Sequence, residues 1–228
     1  MQITQEQAAK VLSNVDAGLI NGAGRTSTPG AMCVEQAVAN AMGESLTDAP
    51  TCMARTVRAL GIRLNDSRWQ NNHARAAGMR RFAIAQLGTS GTLDEKEFVR
   101  RVVEHTIRVV VPGAMRAASG MPGNAAHRER IEASAVRCET EGTRESSQGA
   151  RDVMRAASAS ADASAAAAAY AAAAADASAA ADASADASAY AAAARGRSLG
   201  AFAEAVVQIL IAMDAPGCAF LHLAPVAP

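Results

Sequence analysis

Residues 156–194 read AASASADASAAAAAYAAAAADASAAADASADASAYAAAA, and every departure from alanine, whether Ser, Asp or Tyr, falls at an even position. Strict alternation is the pattern of a strand, whose side chains alternate faces. Composition points the other way. Alanine is the best helix former and a poor strand former, and neither Gly nor Pro interrupts residues 150–195. The stretch therefore reads as helix. At about 100° per residue a period of two scatters Ser and Asp around the whole cylinder, so this helix has no apolar stripe and no polar face. It is thin and smooth, with Tyr170 and Tyr190 as its large anchors, and a partner helix could approach it closely. An expanded DNA repeat encoding Ala-Asp-Ala-Ser would produce the same text.

A helix from near Thr143 to just before Gly196 would hold roughly 50 residues and reach about 75 Å. A compact globule of this chain length is only roughly 45 Å across. The spine must protrude, bend or support a second chain, and a homo-oligomer is expected. The fold expected from it is all-α: a multi-helix bundle built around the Ala-rich helix. Residues 1–142 form a helical domain with an arginine-rich region. Residues 143–228 supply the spine and an apolar helix, Leu199–Met213, that packs back on the bundle, with Ala219–Leu223 as a short extended tail. Aromatics are only 3%, which leaves a core of Ala, Val, Leu, Ile and Met, suited to close-packed helices.

Moving outward from the spine, Thr4-x-x-Gln7 is a capping box followed by Ala8, Val11, Leu12, Val15 and Leu19 at helical spacing. The loop Gly22–Gly30, GAGRTSTPG, leads through Pro29 into a helix that stops at Gly43. A third helix is expected over residues 47–61, capped by Thr51, with Ile62-Arg63-Leu64 as a connector. Asn65 or Asp66 then caps a helix to Leu87. Thr92-x-x-Glu95 reads as a second capping box, for a helix that Pro112 and Gly113 end or kink. The MPGN turn at 121–124 opens another that closes at Gly142.

Several function classes are disfavoured. The four cysteines, Cys33, Cys52, Cys138 and Cys218, show no metal-ligand spacing, so neither zinc nor any other metal or cofactor is expected. Met1–Ile20 lacks the apolar core of a signal peptide and no run is long and apolar enough to span a membrane, so a cytoplasmic protein with free thiols is expected. Net charge is zero, which argues against nucleic-acid backbone binding. No βαβ pattern appears.

The charge is nevertheless uneven: residues 1–53 sum to −3 and residues 54–108 to +6. Over residues 55–81 the arginines Arg55, Arg58, Arg63, Arg68, Arg75, Arg80 and Arg81 face a single acid, Asp66. Guanidinium groups grip phosphate bidentately, and an aromatic ring can stack on a base. Helical spacing brings Trp69, His73 and Arg80 toward one groove. The Gly22–Gly30 loop adds Arg25 and Thr28 just before a helix start, where anions are favoured. It lacks the Gly-Lys-Ser/Thr ending of an ATPase loop. The candidate ligand-binding set is therefore Arg25, Thr28, Arg55, Arg58, Arg68, Trp69, His73, Arg80 and Arg81. The plainer alternative is a solvated arginine face and a core tryptophan. Cys33, also near that helix start, is the one candidate nucleophile, because amide hydrogens and the helix dipole lower a thiol pKa. No sequence signature assigns it a histidine.

The runs PGAMCVEQAV, IRLNDSRWQNNHARAAGMRRFAIAQLG and LDEKEF, then the Ala/Asp/Tyr tract, FAEAVVQILIAM and DAPGCAFL, together resemble a group of phage and prophage proteins without assigned chemistry. The resemblance implies a setting, the cytoplasm of an infected bacterium. The function expected is non-enzymatic capture of a small anionic, nucleotide-like ligand that counters host defence signalling. Two alternatives are an assembly protein that works through the Ala-rich helix and a hydrolase that uses Cys33.

Overall fold

The capping box near the start closes as its spacing predicts. In this computed structural model, which describes residues 2–157 and 199–226, the Gln7 amide donates to Thr4 Oγ1 at 3.2 Å and the Thr4 amide to Gln7 Oε1 at 3.0 Å. Helix α1, Gln5–Asp16, buries Ala8, Val11, Leu12 and Val15. The described residues are helical, joined by turns, and contain no strand. The alanine-rich run from Ser158 onward, with the long-helix reading placed on it, lies outside the described residues.

Helix boundaries moved wherever tertiary contacts outranked local signals. Helix α2, Val34–Ala41, begins after Cys33 and not at Pro29, because Gly30 takes φ +83° against the Ala17 carbonyl, a conformation no helix admits. Helix α3, Arg55–Asn65, runs through Gly61 and absorbs the expected connector. There the missing side chain makes room for Glu35 and Phe82. Neither Asn65 nor Asp66 caps the next helix, since their side chains bond to Ile20, Val34 and Gly22. Asn71 Oδ1 instead accepts the Ala74 amide at 2.8 Å and starts α4, Asn72–Ala85. Thr92 gives its hydroxyl to the Gly88 carbonyl, so Asp94 receives the Lys96 and Glu97 amides at the start of α5, Glu95–His105. Pro112 does not end the run. A π-helical turn, Thr106–Val110, with the Val111 amide reaching back to the Thr106 carbonyl, shifts the register and admits the ring near the start of α6, Val111–Ser119. After a 3-10 turn, Pro122–His127, come α7, Arg128–Glu141, closed by Gly142 at φ +63°, and α8, residues 144–157. Helix α9 spans residues 199–211. The expected extended tail is a 3-10 helix, Pro216–Leu223, whose Gly217 amide docks on the Leu87 carbonyl at 2.9 Å.

The chain divides into two compact units, with a break at Val99/Arg100. Of the described residues, one comprises 2–99 and 199–226, the other 100–157. In the first, α4 is central: residues 82–89 are buried without a break, and α1, α2, α3 and the C-terminal 3-10 helix lie against it. Two arginines of α4 hold neighbouring segments. Arg80 grips Asp16 with two bonds, at 2.8 and 3.1 Å. Arg81 bonds Glu204 at 2.8 Å and the Ala224 carbonyl at 2.6 Å. The second unit is built on Ile107, Met115, Ile131, Ala135, Cys138, Ala150 and Ala157. Arg108 meets the last carbonyls of α7, those of Glu139, Thr140 and Glu141. Among the described residues no helix is long and apolar enough to cross a membrane.

Gly78 lies under the Trp69 ring so closely that a Cβ would overlap the ring edge. Gly78→Ala should gain up to about 1 kcal/mol of helix propensity but lose about 1–3 kcal/mol by overpacking a rigid aromatic. Urea unfolding is expected to show net destabilisation, together with a changed Trp69 emission spectrum.

Candidate functional site

The seven arginines of residues 55–81 separate into three groups. Arg80 and Arg81 are bound to Asp16 and Glu204. Arg75 is interior, 5% exposed. Its Nε donates to the Asn65 carbonyl at 2.7 Å and its Nη1 to the Leu19 carbonyl at 2.9 Å and Asn72 Oδ1 at 2.7 Å. Burial lowers its pKa, and the bonding carbonyls hold the charge in place. Arg55, Arg58, Arg63 and Arg68 stand apart. Each is wholly or partly exposed, and among the described residues none has a carboxylate within ion-pair distance.

The faces of α3 explain this sorting. Val57, Gly61, Leu64 and Asn65 are its buried side. At about 100° per residue Arg55 and Arg63 fall on the opposite side, and Arg58, partly exposed, lies on the flank. Arg55 and Arg58 also occupy the first turn, which has no acidic residue and no side chain at its cap. The helix dipole disfavours cations there. One outside group relieves that end, as Glu95 Oε2 accepts the Thr56 amide at 2.9 Å. The Gly22–Gly30 loop is tied to the other end: the Gly22 amide donates to Asp66 Oδ1 at 2.8 Å. Gly24 exchanges two bonds with the Gln36 amide, at 2.7 and 3.0 Å. Arg25 and Arg68 flank these ties, and Arg25 is likewise exposed with no carboxylate partner among the described residues.

Other predicted members lie elsewhere or play other parts. Trp69 is not a stacking platform: it is 8% exposed, its indole N–H is spent on the Leu64 carbonyl at 2.8 Å, and its ring covers Gly78. His73 is exposed in the first turn of α4. Thr28 is exposed in the loop, where its carbonyl accepts the Ala31 amide. The α2 start is no open anion site, since the Val34 amide is taken by Asn65 Oδ1 and the Cys33 amide by Gln36 Oε1.

Cys33 reverses the expectation placed on it. Burial pushes its thiol up to about 12 and the nearby Glu35 adds to the push, outweighing the backbone amides that favour a thiolate. Among the described residues no group of three His, Cys, Asp or Glu is placed to hold a metal. What the sequence did not disclose is Glu35 itself. It is fully buried with neither carboxyl oxygen hydrogen-bonded, and Gln86, also fully buried, is equally unpartnered. Both border the space left by Gly61: a Cβ there would run into Glu35 Oε1 and stand 3.4 Å from Gln86 Oε1. Burial raises the Glu35 carboxyl to about 8, with Asp66 and Asp48 adding to the rise. Alternating apolar neighbours gave no sign of it, because α2 is buried on nearly every side. No known protein family, curated protein or solved structure matches the chain.

A carboxyl whose folded pKa lies above its unfolded value binds its proton more tightly when folded. Its favourable contribution is complete below the unfolded value of about 4.5 and is lost as pH rises toward 8. Glu35→Gln keeps the shape and removes the titration. Its stability relative to the parent chain should climb by roughly a few kcal/mol between pH 5 and 8, read from urea midpoints across that range.

Proposed function

We propose that the N-terminal unit is a non-enzymatic binding module for a small phosphate-bearing anion of nucleotide type, gripped by Arg55, Arg58 and Arg63 of α3 with Arg25 and Arg68 at its far end. The observation that carries this reading is the contrast along one short stretch. Arg80 and Arg81 are neutralised by carboxylates, whereas these five guanidiniums are not. Two of them are kept in a first helical turn, where they cost stability. A charge retained against the helix dipole and left without a partner is a local rule broken, the kind of exception found where function outweighs stability. Guanidinium forks suit phosphate oxygens. With Trp69 in the core, recognition rests on the phosphates and not on stacking with a base. The buried, protonated Cys33 thiol supplies no ready nucleophile, which favours capture over hydrolysis.

The resemblance to phage proteins gives this capture a setting. In the cytoplasm of an infected bacterium, sequestering a signalling nucleotide would blunt host defence.

Calorimetric titration of the full chain with ATP, a cyclic dinucleotide and inorganic pyrophosphate tests the reading. Binding that weakens with salt is expected, and the triple change Arg55→Glu, Arg58→Glu, Arg63→Glu should weaken it by at least about a thousandfold, since each lost charged hydrogen bond is worth about 1.5–3 kcal/mol. The double change Arg55→Glu, Arg58→Glu, which leaves Arg63 in the last turn untouched, should unfold no earlier than the parent chain, because acidic groups in a first turn stabilise a helix by about 0.3–1 kcal/mol each. Absence of heat with all three probes, or equal affinity in the triple variant, overturns the proposal.

A further inference from the structure

The second unit carries a groove along α8 that the arginine face of α3 does not involve. Two concavities, of about 460 and 300 Å³, share Ser147 and Arg151 and so form one trough. The larger is bounded by Val103, Thr106 and Ile107 on one side, and by Arg144, Ser147, Gln148 and Arg151 on the other. The smaller continues past Val111, Ala114 and Met115, opposite Ala150 and Met154.

Polarity falls along the trough. Arg144, Gln148 and Arg151 follow one another at three- and four-residue spacing, so they line one edge of α8. All three are exposed. Neither arginine has a carboxylate partner among the described residues, whereas Arg155, further along the same helix, is paired with Asp152. Beyond Arg151 the walls are aliphatic and thioether side chains, and Met115 and Ala150 belong to the buried core of this unit. From Arg144 to Met154 the helix rises about 15 Å. The exposed Val103 extends the apolar wall at the mouth, at 50% exposure.

We propose that this groove binds a single-chain fatty-acid anion, with the carboxylate held by Arg144 and Arg151 and the alkyl chain laid along Val111, Met115 and Met154. Charge complementarity selects the head group, since two unpaired guanidiniums flank the polar end. The apolar remainder selects the tail. Methionine suits such a surface because its unbranched thioether adapts to a flexible chain. The combined volume lies in the range of small-molecule sites.

The test is titration of the full chain with octanoate, decanoate and dodecanoate below their micellar concentrations, with dodecanol and dodecyltrimethylammonium as controls. One molecule of dodecanoate per chain is expected, with affinity rising about threefold to fourfold per added methylene and little binding of the cationic amphiphile. Arg144→Glu with Arg151→Glu should reduce affinity at least tenfold, while Arg155→Glu, on the same helix but outside the groove, leaves it unchanged. Circular dichroism checks that each variant stays helical, and if the double glutamate variant fails that check, Arg151→Gln takes its place. No binding of dodecanoate, equal binding of the cationic amphiphile, or affinity indifferent to the groove arginines overturns the proposal.

Discussion

The first unit depends on a buried arginine that has no carboxylate. Arg75 enters the interior from α4 and spends its donors on the carbonyls of Leu19 and Asn65 and the side chain of Asn72. Asn65, fully buried at the end of α3, continues the network by donating to the Ile20 carbonyl and accepting the Val34 amide. Four chain segments are thereby fixed at one point: the turn after α1, the start of α2, the end of α3 and the first turns of α4. Each of these groups would be costly to bury alone. Because their bonds are mutual, the arrangement holds only when all four segments are in place.

That network also fixes how α3 is turned. With α3 anchored by Asn65 at one end and by the Glu95 contact to Thr56 at the other, its buried and exposed faces cannot rotate. The outward arginines are therefore presented on an element held at both ends. Arginines on the neighbouring α4 face the C-terminal segment instead. There they hold Glu204 and the Ala224 carbonyl, drawing the end of the chain onto its beginning. One residue type thus performs three tasks within 27 residues, and what assigns the task is which side of which helix it lies on.

Glu35, with Thr56 and Gln86, has buried side-chain polar atoms that find no hydrogen-bond partner in the first unit. It sits beside Gln86 in the space that Gly61 vacates, and a neutral carboxyl there costs far less than a carboxylate would. The same burial keeps the Cys33 thiol protonated. Neither side chain is open to chemistry from outside, Cys33 being 4% exposed and Glu35 fully buried.

Taken alone, the sequence determined that the described parts would be helical, which residues of α1 face inward, and where Gly43, Gly88 and Gly142 interrupt the chain, because capping, periodicity and left-handed glycines act over a few residues. Tertiary structure decided the rest. Gly61 was read as a stop, yet it is a helix interior because Glu35 and Phe82 need its missing side chain. Asn65 was read as a cap, yet it bridges segments up to 45 residues apart in sequence. Trp69 was placed beside the ligand, yet its ring covers Gly78 and its N–H is satisfied within the core. Which arginines are free was equally invisible, since Asp16 lies 64 residues from Arg80 and Glu204 lies 123 from Arg81. Local rules specify backbone conformation. Only packing specifies which polar groups find one another, and that pairing separates an arginine held by a carboxylate from one left without a partner.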